Sequence, residues 1–193
     1  MTGTATQAPR TLDGIEIPAQ GTWKFDQTHT HFGFVARHLM VTKVRGSFKE
    51  FDGTIHIGQG LEDSWVEASV KTQSVDTGVE MRDNHLRSAD FFDYEKYPEI
   101  TFKSTSAERT GKTSFALTGD LAVGAITKPI TFDVEFDGLV LDHTGGYRAA
   151  FSAEAEINRE DWGITWNVAI ESGGFLVGPK VKLVVDLEAV PAT

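Results

Sequence analysis

From Trp23 onward the apolar residues of this chain return at every second position, and that period admits few folds. It is the repeat of a strand buried on one face, because successive strand side chains point to opposite sides of a sheet, whereas a helix brings its apolar residues back every third or fourth position. The alternation is cleanest at Ile130, Phe132, Val134 and Phe136, which interleave with Thr131, Asp133, Glu135 and Asp137. It returns at Val181, Leu183, Val185 and Leu187 against Lys180, Lys182, Asp186 and Glu188, with Val184 the one apolar residue on the outer set. Less regular versions run through Phe32, Phe34 and Ala36, Phe48 to Ile57, Val66 to Val70, Ile100 and Phe102, Phe115 to Leu121, and Phe151 to Ile157. With Trp23 to Asp26 these make roughly eight to ten strands joined by short turns. The reading is all-β: a single antiparallel barrel of about eight strands, wide enough to hold one small ligand.

One segment breaks the rhythm. Between Val79 and Tyr97 the apolar residues Met81, Leu86, Ala89 and Phe92 fall near helical spacing, which predicts one or two short helices near one end of the barrel. Ser88 or Asp90 would cap the second, and Pro98 would close the segment, because a residue before proline is pushed out of helical geometry. Residues 1–20, rich in Thr, Ala, Pro and Gly, read as a flexible N-terminal segment, and 21–193 as one barrel domain.

Composition narrows the function. Acidic residues outnumber basic ones by 28 to 18, a formal charge of −10, which repels both phosphate backbones and anionic lipid headgroups and makes nucleic acid a poor partner. The chain has no cysteine, so disulfides, thiolate nucleophiles and Cys-held metals are excluded. No stretch approaches the roughly 20 apolar residues of a spanning helix. With no signal-peptide core ahead of Gln20, the expected location is cytoplasmic.

The inward set mixes large and small side chains. Phe32, Phe34, Phe48, Phe102, Phe115, Phe132, Phe136 and Phe151 share it with Ile55, Ile57, Ile100, Ile130 and Ile157, with Val66, Val70, Val134, Leu117 and Leu183, and with Ala36, Ala153 and Ala155. Such a set either interdigitates into a filled core or leaves a lumen, and alternation alone leaves both open. Trp162 and Phe175, in a Gly-rich stretch, either border an entrance or anchor the core.

The order of several longer strings carries a resemblance. Asp26, His29 and His38 stand in WKFDQTHTHFGFVARHLM, and Gly46, Phe48 and Phe51 in VRGSFKEFDGTI. MRDNHLRSADFFDYEKYPEITFKST, GDLAVGAITKPITFDVEF, INREDWGITWN and GGFLVGPKVKLVVDLEAV follow. From about Gly21 to Val190 the chain resembles the YceI-like polyisoprenoid-binding proteins. The resemblance implies a lipocalin-like barrel that binds, stores or transports a long apolar lipid, an isoprenoid quinone or polyprenyl chain first of all. It implies no cofactor other than the bound lipid. Two positions depart from the family pattern: Gly124-Ala125, before Thr127-Lys128-Pro129, and Pro179.

Competing readings attach to the polar residues. His29 and His31 share one face of a strand, and His85 or Asp83 would complete a site for a metal-assisted or isomerising enzyme; alternatively His29 is a hydrogen-bonded turn residue. His29, His38, Arg82, Asn84 and His85 are candidates for a ligand's headgroup or the barrel mouth. Arg82, Asp83, His85 and Arg87 either grip a headgroup or latch a helix to the rim. No serine stands in a G-x-S-x-G elbow and no phosphate-cradling loop is present, so hydrolase and nucleotide-binding readings fall away; in the binding reading no catalytic residue and no metal is assigned. A stress-response interaction module and a homodimer are further readings.

Overall fold

The computed structural model describes residues 8–143, 145–169, 174 and 176–192. The strands are β1 Arg10–Leu12, β2 Ile15–Ile17, β3 Gly21–Phe25, β4 His31–His38, β5 Thr42–Phe48, β6 Phe51–Ile57, β7 Trp65–Lys71, β8 Val75–Asp76, β9 Glu99–Arg109, β10 Ser114–Val123, β11 Ile126–Leu141, β12 Tyr147–Asn158 and β13 Val177–Pro191. One α-helix, α1, spans Glu80–Arg87, and single 3₁₀ turns cover Thr72–Ser74 and Arg159–Trp162.

β12, β11, β10, β9, β7, β6, β3 and β13 follow one another by antiparallel pairing, and β12 pairs with β13 to close the circle. Closure removes the free edges that would otherwise invite another strand. β13 is long enough to carry two partners on one side, β3 along Ala189–Pro191 and β4 along Val177–Asp186. β4, β5 and β8 therefore extend the barrel past one of its ends.

Alternation decides what faces inward. Phe132, Val134 and Phe136 are buried while Thr131, Asp133 and Asp137 are exposed, and Val134 lies opposite Phe115 on one side and Ala153 on the other. Two glycines make room for aromatic rings against the wall. A Cβ on Gly53 would stand 2.0 Å from the Phe25 ring, and one on Gly46 would stand 2.3 Å from that of Phe34.

The two ends are finished differently. At one, β1 and β2 form a hairpin whose Ile15 and Ile17 pack against the cluster of Trp23, Phe25, Ile55, Phe136, Ala149 and Ala189. Arg10 fastens it, donating to the carbonyls of Gln59 and Gly58 at 3.1 and 3.0 Å, and Arg109 pairs with Asp13 at 2.7 Å. The segment expected to be a flexible lead thus contributes this hairpin from Arg10 on. Its signal was Asp13-Gly14 between Leu12 and Ile15: both turn residues have positive φ, 51° and 76°, the geometry that an Asp-Gly hairpin turn requires.

At the other end stand α1, the turns that follow it and Arg159–Trp162. Of the one or two short helices expected between Val79 and Tyr97, one forms, α1. Ser88, a candidate cap for a second, is instead the C-cap of α1, and the Phe92 and Tyr94 amides donate back to the Leu86 and Arg87 carbonyls, folding the chain into turns. Tyr97 then donates to Asp93, which sits at φ 48°.

Candidate functional site: an apolar barrel cavity

The inward residues do not fill the barrel. They leave a cavity of about 430 Å³ that reaches from the β1–β2 hairpin to α1, Phe91, Phe92, Trp162 and Ile164. This is the size range of sites for small organic ligands. It persists because Phe rings stand among alanines: Ala36, Ala68, Ala107 and Ala153 take positions where a larger side chain would close the gap. Ring contacts hold the walls in place. Phe34 packs on Phe48 and Phe48 on Phe92, with centroids 5.8 and 5.6 Å apart, and Phe102 meets Phe132 edge-on at 5.3 Å.

Of the wall residues expected from sequence, all line this cavity except three. Ile130 and Ala155 face inward but are absorbed into the packed clusters around Trp162 and Phe132. Phe175 lies outside the described residues. Trp162 serves both roles proposed for it: it lines the cavity and is buried, its indole N–H donating to the Leu121 carbonyl at 3.0 Å. Leu12, Ile15 and Ile17 were missed because strands of three residues carry too little alternation to read. Val177, Val181, Val185 and Leu187 complete the β13 face.

Among the described residues the charged side chains on the wall are Arg10, Arg109, Lys112 and Arg159, all near its ends, and no carboxylate joins them. Arg159 is the buried one. Burial pushes its pKa down, the neighbouring Glu160 partly offsets this, and its guanidinium donates to the Gly178, Ile164 and Val177 carbonyls. A cation whose donors are taken by neutral carbonyls keeps its charge while braces form between the strand ends.

None of the five residues proposed for the mouth or headgroup is on the cavity wall. Arg82 donates to the Thr77 hydroxyl and carbonyl, buried Asp83 accepts from the Thr77 amide, and Arg87 donates to Gln73, Val75 and Asn84. This cluster is the latch of α1 to the strand beside it, because its donors are spent on that backbone. His85 bonds Asp90 at 2.9 Å and stands edge-on to Trp166, with centroids 4.5 Å apart. His38 ends β4, paired with Thr42 and Val177.

The enzyme reading needed His29, His31, Asp83 and His85 together, and the fold keeps them in separate networks. His31 is exposed on β4, beside Gly33. His29 sits 3.3 Å from Asp26 and 3.4 Å from Glu188, the one group among the described residues with metal-ligand spacing. A cation already bridges those carboxylates: Arg148 reaches Asp26 and Glu188 at 2.5 Å each and Asp142 at 2.7 Å. Burial would raise the Asp26 pKa, but the Thr28 amide, Arg148 and His29 together hold it well below the usual carboxylate range. Bonds to Asp142, Glu188 and Asp26 push that of Arg148 up. The site is a clasp between β3, β12 and β13, and His29 is its hydrogen-bonded turn residue.

A sequence profile of the YceI-like domain matches residues 23–189, nearly the whole barrel. The chain belongs to the YceI-like family. The UPF0312 protein SA2479 of Staphylococcus aureus is 38% identical over 169 residues, covering 85% of this chain and 94% of its own. The solved YceI protein of Campylobacter jejuni is 28% identical, with a TM-score of 0.71, over 81% of this chain and 90% of that one. A polyisoprenoid-binding domain from Saccharophagus degradans shares the fold, with a TM-score of 0.68 at 14% identity over 88% and 98% of the two chains. The family match begins after the β1–β2 hairpin, so that part of the wall stands outside the matched domain.

Proposed function

We propose that the protein binds a long, mostly apolar lipid inside the barrel for storage or transport, an isoprenoid quinone or polyprenyl chain being the best fit. The observation that carries this reading is the cavity itself. Its wall is almost wholly apolar, so water gains little there, and each CH₂ of an occupant contributes about 0.8 kcal/mol on leaving water. The wall mixes Phe rings with Ala36, Ala68, Ala107 and Ala153, an uneven apolar surface compatible with a branched chain. The polyisoprenoid-binding name of the Saccharophagus neighbour adds to the reading. Binding is favoured over catalysis because the described wall residues are almost all apolar.

Organic extraction of purified protein followed by mass spectrometry should recover an isoprenoid lipid. Adding a quinone of matching length to delipidated protein should raise its Tm. Extracts that repeatedly hold no lipid, together with a Tm that no isoprenoid shifts, would overturn the reading.

A further inference from the structure

The turn between β4 and β5 breaks three rules at once. Leu39, Met40 and Val41 are consecutive and apolar, yet 40%, 52% and 77% exposed. Leu39 and Met40 also sit at φ 52° and 61°, the left-handed region that favours Gly or Asn. On the strands behind this tip, Phe34 and Ala36 face the cavity, so Arg37 faces outward, and Lys43 and Arg45 share its face. Arg37 lies directly opposite Lys43, a like-charge pair that weakens a sheet. Among the described residues, none of the three cations has a carboxylate within ion-pairing distance. In a chain of net charge −10, residues 31–49 contain no Asp or Glu at all.

The tip stands at one end of the cavity. The Leu39 amide donates to the Leu176 carbonyl at 2.9 Å, and the adjoining Ala36 and Val177 are on the cavity wall. Leu176 in turn bonds the carbonyl of Val168, another exposed apolar residue, at 47%. Apolar surface with a cationic collar therefore gathers beside this end of the cavity.

We propose that this hairpin docks the protein on an anionic lipid surface, the apolar tip entering the headgroup region and Arg37, Lys43 and Arg45 meeting lipid phosphates. Apolar residues beside unpaired cations suit that interface, where tails accept the first and anionic headgroups the second. The net acidity of the whole chain opposes approach, but at physiological salt charges are screened beyond about 8 Å, so the field at the surface is set mainly by residues 31–49, which hold no Asp or Glu. Docking does not depend on what the barrel holds, and vesicle binding is scored separately from ligand recovery.

The test is co-sedimentation of the full chain with vesicles of phosphatidylcholine alone or with phosphatidylglycerol added. Binding to the anionic vesicles should be at least about tenfold stronger and fall with added salt. Arg37→Glu/Lys43→Glu should lower it about tenfold or more while leaving the melting curve in place, since the cross-strand pair stays like-charged. Met40→Asp/Val41→Asp should weaken it as well. No preference for anionic vesicles, or undiminished binding in either double variant, overturns the proposal. So does a dimer in light scattering that the same substitutions dissolve while vesicle binding persists, because the occupant is then a second copy of the chain.

Discussion

Three carboxylates converge on Arg148, while among the described residues the three cations of the β4–β5 hairpin meet none. The chain has acid to spare, so the difference is one of placement. Asp26, Asp142 and Glu188 come from separate parts of the sequence and are brought to one guanidinium by β3, β12 and β13. That charge is satisfied within the molecule and describes how the barrel is held shut. The hairpin's charge is left open beside exposed apolar residues, and describes something outside the molecule.

Both halves of this contrast rest on strand register, so the largest effect is expected there. Phe132→Asp puts a carboxylate on the cavity wall without a cation beside it and should cost about 4 kcal/mol or more, or leave no folded protein. Asp133→Asn, one residue along and outward, should stay within about 0.5 kcal/mol. Equal effects in urea denaturation would show the β11 register to be wrong.

The clasp comes next. Arg148→Met leaves three carboxylates facing one another and should lower the Tm at pH 7 by more than about 5 °C. An unchanged Tm would reduce the clasp to surface decoration and erase the contrast.

Acid sharpens it further. The Asp26 pKa is depressed in the fold, so its contribution is present above the unfolded value of about 4 and is lost as pH falls through the folded one. Stability should drop steeply below about pH 4, and Asp26→Asn, which cannot titrate, should flatten that limb of the curve.

The smallest effect is expected at the hairpin. Lys43→Glu places a carboxylate opposite Arg37 and should raise stability by up to about 0.5 kcal/mol. If it lowers vesicle affinity at the same time, stability and docking move in opposite directions, as they should where charge is held unpaired for use.

Register, inward faces and barrel closure were legible because alternation is a local pattern repeated in every long strand. Ile130 and Ala155 show its resolution: period two says which face a residue takes, and only packing decides whether that spot is cavity or core. One helix and not two formed between Val79 and Tyr97, because helical spacing at Ala89 and Phe92 lost to the turns bonded back to Leu86 and Arg87. The role of His29 was half legible, since Asp26 is three residues away, but Arg148 is 122 residues from Asp26 and belongs to no motif. The unpaired cations were in plain view as RHLMVTKVR, and became informative only when pairing placed Arg37 against Lys43.

The β1–β2 hairpin puts part of the wall on a piece of chain that the barrel does not need in order to close. Arg10 and the Asp13–Arg109 pair act as removable fastenings, and Leu12, Ile15 and Ile17 form the floor they hold. The depth of the bore is thus set in part by a short hairpin outside the barrel sheet, so shortening that hairpin would change what the cavity accommodates while every barrel strand stays as it is.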